Sequence, residues 1–183
     1  MVSAERSGQY HECRPAAMRV VLSHRLEFFL RLSGILIATI LASGAIAADP
    51  FYLGTWKIVS AQVAPWWDTA EKPDAAESKS LVGKLVTVKP AQIIGPGMTA
   101  CNGPRYKVVN VPAEGLFQGS FDEMHTRNKS VDPNKVAATL GFKGKSWKSL
   151  QTGCANELDY HFVDDNTAEF GLNNYIYILK KQP

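Results

Sequence analysis

An apolar run, Gly34-Ile-Leu-Ile-Ala-Thr-Ile-Leu-Ala42, follows basic Arg25 and Arg31 and stops at the small-residue site Ala45-Ile46-Ala47. Basic residues, a short apolar stretch and an Ala-x-Ala site, in that order, form a secretory signal peptide, which is removed after export. The part that folds is then shorter than the chain. Taking residues 1–47 from 183 leaves 136, Ala48 to Pro183. That is one domain's worth, with enough chain for a single core. Met18-Arg19-Val20 opens a leader of more ordinary length, so Met18 is an alternative start. The apolar run is too short to span a bilayer comfortably. No second run of spanning length follows. The mature domain, 48–183, is expected to be soluble, periplasmic or secreted, and monomeric.

Charge narrows the partners. The leader holds Arg6, Arg14, Arg19, Arg25 and Arg31 against Glu5, Glu12 and Glu27. Removing these from 20 basic and 17 acidic residues leaves 15 against 14. The mature domain is nearly neutral, which argues against nucleic acid as a partner. Cys13 lies in the leader, and Cys101 and Cys154 remain. An even count in an oxidising compartment reads as one disulfide. Two separate buried thiols are the alternative. A metal site is less favoured, because no Cys-x-x-Cys or nearby His accompanies either cysteine.

Short alternating runs dominate the mature chain. Leu53 to Val63 places Trp56, Ile58 and Ser60 on one face. Asp68 to Lys79 is charged and lacks large apolar residues, so a loop or short helical turn is expected. Leu81 to Val88, Gln92 to Ile94 and Arg105 to Val111 read as strands, and Leu116 to Phe121 as a short apolar segment. Asp132-Pro133 can open a helix that Gly141 stops. Trp147 to Thr152 leads into Gly153-Cys154. Leu158 to Val163, Thr167 to Leu172 and Tyr175 to Leu179 are separated by Asp164-Asp165-Asn166 and Asn173-Asn174, which is a meander signature. Closing such a meander on itself removes exposed edges.

Leu53-Gly54-Thr55-Trp56 resembles the Gly-x-Trp opening of the lipocalin and calycin superfamily. The tail, Asn174-Tyr-Ile-Tyr-Ile-Leu-Lys-Lys181, resembles the closing strand of such barrels. The resemblance extends to uncharacterised exported lipocalin-like proteins of Gram-negative bacteria, through Ala64-Pro65-Trp66, Gly115-Leu116-Phe117-Gln118-Gly119 and Thr152-Gly153-Cys154. It implies an all-β fold, a small antiparallel eight-stranded lipocalin-like barrel with one short helix. In that fold Gly54 lets the chain pass closely under the barrel. Trp56 plugs the closed end, with Lys180 or Lys181 covering it. A Thr-Asp-Tyr signature of ordinary lipocalins is missing.

Candidate chemistry is sparse. Trp66 and Trp67 can rim a ligand mouth or anchor a partner, since aromatics supply much interface energy; loop packing is the plainer alternative. Arg105 and Tyr106 can hold a carboxylate if their strand faces inward. Asp159 and His161 share a strand face. Such a pair can tune a base or bind a metal, or can simply face solvent. His125 near Glu123 lacks visible further metal ligands. Lys143, Lys145 and Lys148 around Trp147 make a small basic patch. No phosphate loop, Ser-His-Asp order or zinc motif appears. The expectation is a binding protein without catalysis, cofactor or metal. Its partner is a small apolar or amphipathic ligand in the barrel, or an exported protein such as a protease or lysozyme that it inhibits. A structural envelope module is the third alternative.

Overall fold

The antiparallel runs of the sequence pair into one curled sheet in the computed structural model, which describes residues 50–67, 70 and 73–183. The expected signal peptide and its expected cleavage site lie outside the described residues. The strands are β1 (Gly54–Val63), β2 (Leu85–Lys89), β3 (Gln92–Ile94), β4 (Cys101–Asn102), β5 (Lys107–Val111), β6 (Trp147–Gln151), β7 (Asp159–Asp164), β8 (Thr167–Leu172) and β9 (Tyr175–Lys181). The helices are α1 (Ala75–Leu81), α2 (Ser120–Arg127) and α3 (Pro133–Thr139), with 3₁₀ turns at Gly97–Thr99 and Ala113–Gly119.

The order across the sheet is β4-β3-β2-β1-β9-β8-β7-β6-β5, all antiparallel. The expected eight strands and single helix are therefore corrected to nine strands and several short helices among the described residues. The sheet is a curled half-barrel whose end strands do not pair. The physical reason is local. Strand β4 has two residues, and Gly103-Pro104 then carries the chain to the far edge, where Pro104 has no N–H to donate. The gap is bridged by other means. Cys101 and Cys154 form a disulfide, S–S 2.02 Å and Cα–Cα 6.1 Å. Tyr106 Oη donates to Lys89 O at 2.8 Å. Asn156 Nδ2 donates to Met98 O and Ala100 O.

Two expected boundaries also move. Leu81 ends α1 instead of opening a strand. Asp74 caps that helix by accepting from Ala76 N at 2.8 Å, and Gly83, at φ +88°, turns the chain into β2. In β1 a bulge between Ile58 and Ser60 shifts the alternation, so Ala61 rather than Ser60 packs on the core.

Alternation along β1 and β6–β9 builds two apolar layers. The concave face carries Trp56, Ile58, Leu150, Tyr160, Phe162, Phe170, Tyr177 and Leu179. The convex face of the same strands is covered by the segment from Ala113 to Phe142, through Leu116, Phe117, Phe121, Leu140 and Phe142 against Trp147 and Ile176. One end of the concave side is closed by Trp56, which is 2% exposed. Its Nε1 donates to Tyr52 O, and Lys181 Nζ lies 5.4 Å from its ring. Toward the other end, Glu77 of α1 accepts from Tyr177 Oη at 2.8 Å.

Candidate functional site

The most unusual chemistry lies on the convex face, beneath the helical cap. Strand register sets Ser149 of β6 opposite His161 of β7, and His161 opposite Glu169 of β8. The three side chains form a polar row across adjacent strands, and each is at most 3% exposed. Phe117 N donates to His161 Nε2 at 2.9 Å. That nitrogen is therefore the acceptor, so the ring proton sits on Nδ1, which donates to Ser149 Oγ at 2.6 Å. Burial pushes the His161 pKa down to about 3, because an imidazolium here would lose its water without gaining a counter-charge.

His161 holds a costly turn in place. Phe117 and Gln118 adopt left-handed backbone, φ +49° and +55°, and Gly119 follows at +85°. Non-glycine residues pay for such conformations only where the surroundings over-determine them. Four contacts do so. They are the His161 bond, the Phe117 ring against His161 at 4.8 Å, Ser120 Oγ donating to Phe117 O, and Gln118 Nε2 donating to Glu157 O.

Glu169 completes the row differently. Its Oε2 is buried with no hydrogen-bond partner. Burial raises its carboxyl to about 8, against the opposing pull of Lys180. Lys180 Nζ donates to Thr167 Oγ1 at 2.6 Å. The row is therefore neutral near pH 7. It has a committed imidazole lone pair and a carboxyl with one unpartnered oxygen, so it can hold shape and take or lose a proton. It cannot activate Ser149 while the Phe117 bond stands, since the base's lone pair is occupied.

The residues singled out in the sequence do not converge on one site. Trp66 is half-buried in the convex layer, its ring 5.4 Å from Phe117 and 6.1 Å from Phe121. Trp67 is half-buried in the turn after β1, where its backbone N donates to Ala64 O. Arg105 is exposed beside Gly153, and its backbone N donates to Thr152 O. Tyr106 alone of the four packs on the concave core, 5.2 Å from Tyr52. Burial, with Tyr52 adding, raises its phenol to about 12. Asp159 does share the face of His161, but only half-buried; burial raises its carboxyl, against a backbone hydrogen bond from Thr152. His125 Nδ1 contacts Val131 O at 2.7 Å, which ties a local loop. Among the described residues no cluster of His, Cys, Asp and Glu could hold a metal. Lys148 Nζ lies 4.6 Å over the Phe51 ring.

Sequence reasoning missed Ser149 and Glu169. Both sit at outward positions of their strands, where a polar residue reads as solvated. The signal that something covers them was the neighbouring Gly171. A Cβ there would lie 3.3 Å from the Phe117 and Trp66 rings, and a glycine inside a strand marks close approach. No protein-family model, curated protein or solved structure matches this chain.

Proposed function

We propose that this chain is an exported, non-catalytic binding protein whose target is another protein, engaged from its outer surface. The observation that carries this reading is the state of the concave side. Rings run through it in contact: Phe51 to Phe162 at 4.8 Å, Phe162 to Trp56 at 5.6 Å, Tyr160 to Phe170 at 5.6 Å, and Phe170 to Tyr177 at 5.0 Å. A carrier needs a pocket that buries most of its ligand. Here the protein's own aromatic side chains occupy that position. The depressions lined by Met98, Ala100 and Asn156, or by Gln118, Gln151 and Asp159, open to solvent.

A second reading keeps a small ligand on the concave side. One observation favours it: Tyr160 Oη is buried there without a partner, as if awaiting an acceptor. Titration with a fatty-acid-sized fluorescent probe separates the two. The protein-target reading expects no saturable binding, together with loss of activity of a secreted protease or lysozyme in an inhibition panel. Saturable binding that Tyr160→Phe weakens would replace it with the carrier.

A further inference from the structure

The buried carboxyl of Glu169 lies where a change of charge has mechanical consequences. Its neighbours across the sheet are His161 on β7 and Ile178 on β9. Along β8 its neighbours on the same face are Thr167 and Gly171. Two rings cover the positions beside it, Phe117 of the cap and Trp66 from the turn after β1. Phe117 spans Gly171 and His161, and Trp66 touches the Gly171 position beside it. The Phe117 ring has no polar atom to offer, and Glu169 Oε2 has no hydrogen-bond partner. Charged or titratable groups face Glu169 from two strands. His161 has both ring nitrogens occupied by Phe117 N and Ser149 Oγ. Lys180 of β9 acts on the carboxyl electrostatically while its Nζ is bonded to Thr167 Oγ1. Asp164, at the far end of β7, is exposed.

We propose that Glu169 is a proton-operated latch for the helical cap: protonated, it lets Phe117 and Trp66 seat on the sheet, and ionised, it lifts them. An ionised carboxylate at a dry, unpartnered position must find water or Lys180. Phe117 covers the two positions that flank Glu169, Gly171 on its own strand and His161 on the next. The segment that must move is also poised to do so. Its strained residues, Phe117 and Gln118, are held in left-handed backbone in part by contacts to His161 and Glu157 that opening would release. The lifted cap would bare Trp66, Phe117 and Phe121, three of the largest apolar side chains of the convex layer. The burial that raises Glu169 to about 8 sets the opening just above neutrality.

The Phe117 amide reports the latch directly, because its hydrogen bond to His161 breaks when the cap lifts. Hydrogen-exchange protection factors, which remove the intrinsic pH dependence of exchange, are measured from pH 6 to 10. In the parent the Phe117 amide should lose at least about tenfold protection across a titration centred near pH 8. In Glu169→Gln protection should hold flat through the same range. Lys180→Met removes the cation that favours the ionised form, so its midpoint should move to higher pH. An equal loss in parent and Glu169→Gln would overturn the latch, as would a parent whose protection does not change. An unmoved midpoint in Lys180→Met would assign the titration to a group other than Glu169 and overturn it equally.

Discussion

His161 should make this protein acid-sensitive in a way that a single substitution can read. The ring is 1% exposed and neutral, with its pKa pushed from an ordinary 6.5 down to about 3 by burial. Unfolding exposes it to water, where it takes a proton below pH 6.5. The folded protein thus binds fewer protons than the unfolded chain across that window. Its contribution to stability is fully present above pH 6.5 and is lost as the pH falls toward 3. Each pH unit inside the window costs about 1.4 kcal/mol. From pH 7 to pH 5 the loss from this ring is therefore about 2 kcal/mol, a large share of the 5–15 kcal/mol typical of a domain. His161→Gln keeps an acceptor near the Nε2 position but cannot titrate. Urea denaturation of both proteins at pH 7, 6, 5 and 4 is the assay. Carboxylates titrate alike in the two, so the difference between the curves isolates the ring. The parent should lose about 2 kcal/mol more than the variant between pH 7 and 5. Parallel curves, within about 0.5 kcal/mol, would mean that His161 is solvated or paired in solution rather than buried and neutral.

Three further perturbations test the frame around this site. Reducing the Cys101–Cys154 bond, or replacing both residues with Ser, reopens a loop with a sequence separation of 53; the chain-entropy model expects a loss of roughly 4 kcal/mol, measured by denaturant midpoint, and a change under about 1 kcal/mol would contradict it. Trp56→Ala should cost about 3–5 kcal/mol by leaving a cavity at the closed end, and a denaturation midpoint equal to the parent's would show that the ring is not packed as described. Gly171→Ala places a methyl 3.3 Å from the Phe117 and Trp66 rings. It should cost about 1–3 kcal/mol by overpacking and shift the tryptophan emission, whereas an unchanged melting temperature and spectrum would remove the close approach.

Local order was largely readable from residue order. The alternation of Tyr160 and Phe162 against His161, and of Phe170 and Tyr177 on their strands, encodes β7 to β9 because side chains on a strand switch faces at every residue. Asp132 and Pro133 announce α3 because a carboxylate oxygen can accept from a first-turn amide, as it does from Asn134 N at 2.9 Å. An even pair of cysteines outside the expected leader pointed to one bond, and Cys101 and Cys154 form it. The cap and the polar row were not readable. Nothing in Leu116-Phe117-Gln118 signals a left-handed backbone, since neither Phe nor Gln favours it; contacts with His161, 44 residues away, impose it. Strand alternation placed Ser149 and Glu169 on an outward face, and only the packing of a distant segment made that face dry. Residue order determined which side chains share a face. The tertiary structure decided which faces keep their water, and that decides whether a histidine or a glutamate carries charge.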